Sequence, residues 1–396
     1  MKSYKFFICS IGSLLSINKK KVMIQGYTTT NIPFSAIIGQ TDMKLALILN
    51  AIDPTIGGVL LMGDRGTAKS TAVRSIQDLL PLIEVVEADP YNSHPTIERL
   101  MSDEIKLKIY KNQSFKTQYV STPFVTIPLG ATEDRVCGSL DTEQVLKQSG
   151  KYYQPGLLAQ ANRGFVYVDE VNLLEDNLVD TLLDSAASGF NLVEREGVSV
   201  RHPARFTLIG SANPEEGELR PQLLDRFGMY VNVKSLRSTR DRVTTVSHRR
   251  WFDSEPDGMV KSFEKATLWF QSSISHALSQ VQLLGTNSFQ TPKMQAHICN
   301  ICSALGVSGI RADITMTRAA VALAALQGQD TVNEVHIIQI AHLCLRHRLE
   351  ANVLSGVPPM EAIGTTLAKE FDLSIAEIIK ILDQRHSILI PPEVNL

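Results

Sequence analysis

An α/β fold, with a phosphate-binding loop on a parallel sheet and a helical domain behind it, is what the sequence predicts. Three observations predict it. Short apolar runs alternate with helical patterns over the first two thirds of the chain, and such alternation implies a parallel sheet. The first of these runs leads into Gly63-Asp64-Arg65-Gly66-Thr67-Ala68-Lys69-Ser70-Thr71, close to the pattern of a phosphate-binding loop. From about residue 255 the apolar spacing becomes helical.

Taken in order, the chain begins with Lys2, Lys5 and Lys19-Lys20-Lys21 and has no acidic residue before Asp42. An N-terminal extension over residues 1–30, without packed structure, is expected. Strands are predicted at Val59–Met62, Ile83–Glu87, Phe165–Val168, Phe206–Ile209 and Met229–Val233, each short and apolar. The polar stretch from Asp89 to Val125 reads as an insertion. Residues 31–250 form the expected sheet domain, residues 251–350 a helical domain and residues 351–396 a C-terminal extension. In the helical part Thr315–Gln327 and Thr331–Leu349 are the clearest segments, the second opened by a capping box, Thr331-Val332-Asn333-Glu334. Beyond Glu350, Pro358-Pro359 and the helix-like Ile375–Leu382 are expected to form a solvated appendage.

The loop carries the first chemistry. Between a strand and a helix, backbone N–H groups can converge on a phosphate, aided by the positive end of the helix dipole. Lys69 would reach the outer phosphates and Ser70 would ligate Mg²⁺. Ala68 stands where the pattern has glycine. Its methyl is harmless at helix-like backbone angles and costly at positive φ. Because Ala68 abuts the helix start, helix-like angles are expected.

The second chemistry lies in Gly164-Phe165-Val166-Tyr167-Val168-Asp169-Glu170. Two carboxylates emerge at the C-terminal end of a buried strand, where open α/β sheets bind ligands. Asp169 is suited to the Mg²⁺ shell and Glu170 to polarising a water. After the strand Phe206–Ile209 come Ser211 and Asn213, placed to bond the attacking water or the γ-phosphate. Asn213 before Pro214 is also ordinary turn chemistry. Arg226 ends a short helical stretch; it can reach a phosphate across a subunit boundary or pair with Asp225 or Glu218. Arg311, ahead of the helix from Thr315, can project onto the nucleotide.

Composition narrows the classes. Apolar residues make up 44% and the formal net charge is −2, so a nucleic-acid partner gains no electrostatic support. No apolar run approaches the roughly 20 residues of a membrane span. The five cysteines, Cys9, Cys137, Cys299, Cys302 and Cys344, form no disulfide framework for a chain of this size. Cys299-Asn-Ile-Cys302 lacks two further zinc ligands at matching spacing, and His297 reads as an ordinary helix residue.

Four stretches taken together, "IIGQTDMKLALILNAIDPTIGGVLLMGDRGTAKST", "GFVYVDEVNLLEDNLVDTLLDSAASG", "VEREGVSVRHPARFTLIGSANPEEGELRPQLLDRFG" and "GIRADI", resemble the AAA+ ATPase subunit I of magnesium chelatase. The resemblance runs from about Pro33 to Glu350. It implies ATP and Mg²⁺ as cofactors, with Gly63 to Thr71 on the nucleotide, Ser70 and Asp169 on the metal, and Glu170 as base. It further implies Asn213 as sensor 1, Arg226 as arginine finger and Arg311 as sensor 2. An insertion in helix 2 near Asp89–Val125 and a β-hairpin before sensor 1 follow too; Leu192–Glu194 and Ser199–Arg201 flank a Glu-Gly turn. The implied assembly is a ring, usually hexameric, that drives Mg²⁺ into protoporphyrin IX for chlorophyll synthesis. Its implied partners are a subunit with an integrin-like domain and a large porphyrin-binding subunit. A plastid stroma is the implied location, a cyanobacterial cytoplasm the alternative. Ala46 stands where plant relatives tend to carry a cysteine, so no thiol switch with Cys137 is expected. A cobalt chelatase motor or a MoxR-type chaperone would share the ATP site, and a DNA helicase is the more distant alternative.

Overall fold

The computed structural model describes residues 31–140, 153–195, 198–217, 219–289, 291–350 and 357–391. The extension expected over residues 1–30 lies outside the described residues. Helix α1 (Thr41–Ile52) precedes strand β1 (Val59–Met62), and helix α2 (Lys69–Ser75) follows it. Next come β2 (Leu82–Val86), α3 (Asp103–Tyr110), β3 (Thr117–Ser121) and β4 (Phe124–Ile127). The chain continues through α4 (Glu133–Cys137), β5 (Gly138–Leu140), β6 (Tyr153–Pro155), α5 (Leu157–Gln160) and β7 (Gly164–Val168). After α6 (Asp176–Ser188), β8 (Phe190–Arg195), β9 (Val198–Pro203) and β10 (Phe206–Ala212), the short α7 (Pro221–Arg226) leads into β11 (Met229–Asn232).

Five strands form a parallel sheet in the order β11-β1-β10-β7-β4. β7 and β10 are buried along their whole length, as strands covered on both faces are, which is why they read as continuous apolar runs. The strand expected at Ile83–Glu87 is not in this sheet. It is β2, one residue earlier, paired antiparallel with β3. Leu82 at its start is exposed while Val85 and Val86 are buried, the mark of a strand with one wet end. The fifth parallel strand is instead β4, at the end of the stretch read as insertion.

That moves the insertion in helix 2. Asp89–Val125 precedes the edge strand, so it elaborates the β1–β4 connection. The segment set between two helices is β5–β6, an antiparallel pair between the short α4 and α5. Arg163 pins the first elaboration to the sheet, donating to the carbonyls of Glu84 at 2.6 Å and Asn92 at 3.0 Å. The expected hairpin is β8–β9, with Leu192 opposite Arg201; its Glu-Gly turn lies outside the described residues.

Helices begin earlier than the sequence suggests, with α8 (Thr239–Ser254) and the long α9 (Pro256–Phe289), then α10 (Pro292–Ala304), α11 (Arg311–Leu326) and α12 (Glu334–Glu350). One apolar core joins them to the sheet: Leu61, Val73 and Val231 share it with Ile274, Met316 and Ile340. α12 starts at Glu334, and the reciprocal bonds at its start join Asn333 and His336, not Thr331 and Glu334. Asn333 Oδ1 accepts from the His336 N–H at 3.2 Å, and His336 Nδ1 accepts from the Asn333 N–H at 3.0 Å. The C-terminal segment is no solvated appendage. Helices α13 (Pro359–Phe371) and α14 (Ile375–Asp383) bury Ile363, Leu367 and Ile378 against the same core, and Arg385 bonds Asp42 of α1 at 2.6 Å.

Candidate nucleotide site

The loop between β1 and α2 is positioned by a close backbone approach. A side chain at Gly63 would place Cβ 2.3 Å from the carbonyl oxygen of Val233, so only glycine lets β1 run out beside the exit of β11. The turn then closes on itself. Thr67 Oγ1 donates to the Asp64 carbonyl at 2.8 Å, and Lys69 Nζ donates to the carbonyls of Gly63 and Asp64, the latter at 2.9 Å. Burial lowers the Lys69 pKa, against the pull of Asp169 and Asp64.

Ala68 does not have helix-like angles. It lies in the left-handed region at φ 66°, ψ 21°, and α2 starts one residue later at Lys69. Ala68 is therefore the residue ahead of the helix and not its first turn, and the methyl costs about 1–2 kcal/mol relative to an unstrained residue. The loop is nonetheless formed.

Asp169 and Glu170 leave the end of β7 beside it. Ser70 Oγ lies 3.2 and 3.4 Å from the two Asp169 oxygens. This is a hard-oxygen pair of the kind Mg²⁺ takes alongside phosphate oxygens. Glu170 sits at φ 54°, ψ 55°, a left-handed conformation for a non-glycine residue, and its N–H bonds Ser211 Oγ at 3.2 Å. Ser211 Oγ in turn donates to Asp169 Oδ1 at 2.5 Å.

Asn213 leaves β10 with the turn chemistry in place and one side-chain atom to spare. Its Oδ1 caps the following turn, accepting from the Glu215 N–H at 3.2 Å, while its Nδ2 is buried without a partner. A buried, unpaired donor costs about 1–3 kcal/mol unless a ligand meets it. Asn213 helps to line a cavity of about 260 Å³, together with residues 65–71, Asp169, Glu170, Ser211 and Ala212. The donor set, the loop and this orphaned N–H fit a phosphate chain with Mg²⁺.

Sequence reasoning missed two features here. Arg65 pairs with Glu216 across the cavity rim, its Nε 2.9 Å from Glu216 Oε1. Tyr167, fully buried, places its hydroxyl 2.7 Å from Asp169 Oδ1 and 3.0 Å from Ser70 Oγ. The one signal for it was a polar-tipped ring in an otherwise apolar strand.

Arg226 and Arg311 do not join the cavity of their own chain. Arg226 bonds Asp184 at 2.7 Å and Asp180 at 3.1 Å on α6 in place of the Asp225 considered for it; Glu218, the other candidate, lies outside the described residues. Arg311 is the first residue of α11, not a residue ahead of a later helix, and bonds the Asp225 carboxylate at 2.9 Å. Asp225 also accepts from the buried Arg348 at 3.2 Å. Arg311 and Arg348 thus meet on Asp225, the residue before Arg226 in the chain.

A five-stranded parallel sheet in this order, a loop and carboxylate pair at its C-terminal edge, and attached helices define the AAA+ class of P-loop proteins. The crystal structure of a Cytophaga hutchinsonii protein has the same fold, at TM-score 0.54 and 18% identity over 85% of this chain and 91% of that one. The family described as "Magnesium chelatase, subunit ChlI" matches residues 33–220, and the AAA lid domain matches residues 295–364. The magnesium-chelatase subunit ChlI of Nephroselmis olivacea is 53% identical over 331 residues, 84% of this chain and 92% of its own. The chloroplastic subunit ChlI of Chlamydomonas reinhardtii is 51% identical over 341 residues, 86% of this chain and 81% of its own. The chain belongs to the magnesium chelatase subunit ChlI family.

Proposed function

We propose that this chain is the ATP-hydrolysing motor subunit of magnesium chelatase, driving Mg²⁺ into protoporphyrin IX in chlorophyll synthesis. The observation that carries the reading is the gathering of Ser70, Asp169, Glu170 and the unpaired Asn213 amide around one cavity at the loop. Lys69 releases the loop carbonyls to hold the outer phosphates of ATP, and the backbone N–H groups at the start of α2 cradle the chain. Ser70 and Asp169 hold the Mg²⁺ that neutralises phosphate charge. Glu170 orients and deprotonates the attacking water, and Asn213 donates to it or to the γ-phosphate.

Arg226 and Arg311 complete the site from a neighbouring copy. This is supported by their ion pairs, Arg226 with Asp180 and Asp184 and Arg311 with Asp225, and by their absence from the lining of the cavity at the loop. A ring, hexameric in this reading, gives every loop a neighbour's pair. Family membership supports two partners, an integrin-like-domain subunit and a large porphyrin-binding subunit that hosts metal insertion, and a chloroplast location. No helix among the described residues is long and apolar enough to cross a membrane.

Mixing tests the shared site. Arg226→Ala and Lys69→Ala subunits are each expected to be inactive alone. Mixed and shown to co-assemble, they are expected to regain part of the ATPase rate where an intact loop meets an intact arginine; the general worth of such a finger is about 10³–10⁵ in rate. No recovery would leave Arg226 as an internal ion-pair residue. Porphyrin metallation with both partner subunits, dependent on Lys69, separates this reading from a cobalt chelatase motor or a MoxR-type chaperone.

A further inference from the structure

We infer that Tyr167 is the positioning residue of the Mg²⁺ site, its hydroxyl setting the orientation of both oxygen ligands at once. This rests on the ATP-hydrolysis reading above. The ring of Tyr167 fills the core beneath the loop with no exposed surface, and its hydroxyl oxygen is 2.7 Å from Asp169 Oδ1, 3.0 Å from Ser70 Oγ and 3.2 Å from Ser211 Oγ.

Counting protons assigns the directions. A carboxylate only accepts, and a phenol has one proton to give. The Tyr167 proton goes to Asp169 Oδ1, the nearest and the charged acceptor. Ser211 gives its own proton to that same oxygen, and its lone pair takes the Glu170 N–H. Oδ1 is then occupied twice by hydroxyl donors, which leaves Oδ2 to Ser70.

Ser70 is the remaining member. A hydroxyl that ligates a cation must turn its proton away from it, toward an acceptor. That acceptor is Asp169, whose Oδ2 takes the Ser70 proton at 3.2 Å, while the Tyr167 hydroxyl lies 3.0 Å from Ser70 Oγ. Tyr167 thereby gives its proton to one ligand and rests against the oxygen of the other. A fixed hydrogen bond behind a metal ligand is worth 10–100-fold in metal affinity.

The test reads binding. Parent and Tyr167→Phe protein are titrated by calorimetry with a non-hydrolysable ATP analogue, with and without Mg²⁺. Phenylalanine keeps the ring and removes only the hydroxyl. Equal affinity without Mg²⁺ and an approximately 10-fold weaker response to Mg²⁺ are expected. In a Ser70→Ala background the same change should have a smaller effect, because one of the two oxygens the hydroxyl holds is gone. An unaltered Mg²⁺ response, an equal effect in the Ser70→Ala background, or failure of Tyr167→Phe to fold would each overturn the positioning role. A parent protein that binds no analogue would instead sink the nucleotide reading itself.

Discussion

Ala68 shows how a single methyl can be read correctly for its neighbours and wrongly for itself. The lysine, hydroxyl, strand and helix around it were legible because each is a residue type or a periodicity. The φ angle of one residue is neither, and here the inward turn of the loop sets it at 66°. Ala68→Gly should therefore raise stability by about 1 kcal/mol, the relief of left-handed strain less the greater freedom of glycine in the unfolded chain. Urea denaturation measures it, and nucleotide affinity should hold or improve. A loss of stability in that variant would mean the strain is absent. Asn213 was legible in position only; that it serves the turn with one atom and leaves the other buried and unpaired is a matter of packing that no residue type or periodicity carries.

Strands buried on both faces and the hairpin were readable as elements, because continuous apolar runs and a turn dipeptide are local signals. Which strand sits at the sheet edge was not. β2 and β4 are both short and apolar, and only pairing distinguishes them. The C-terminal helices were misjudged for a related reason: an amphipathic helix shows that it has an apolar face but not what covers it. Their packing makes a sharp expectation. Ile378→Ala should cost about 2–4 kcal/mol, since Ile378 is 2% exposed in the shared core. Its neighbour Ile379, 53% exposed, should change stability by about 0.5 kcal/mol or less when replaced by alanine. Equal effects in chemical denaturation would return the segment to the status of an appendage.

Across the whole molecule, acid sensitivity should come from histidines held neutral in the core. Burial lowers His336 from 6.5 to about 4 and His347 from 6.5 to about 3. A folded pKa below the unfolded one means that the unfolded chain binds more protons. The stability contribution is complete above pH 6.5 and is lost as pH falls toward the folded values. By pH 5 each histidine should remove about 2 kcal/mol. Urea midpoints at pH 7 and pH 5 test this, with His336→Gln expected to shrink the difference. The strand order has a consequence on another timescale. β1 lies between β10 and β11, and Val59 pairs with Met229, a separation of 229 − 59 = 170 residues. At the usual 5–20 residues per second, the ribosome needs about 10–30 s to make the partners of a strand it has already finished. Until then this inner strand of the sheet and the loop it carries lack a flanking strand, so competence to hold nucleotide arrives late in synthesis and all at once.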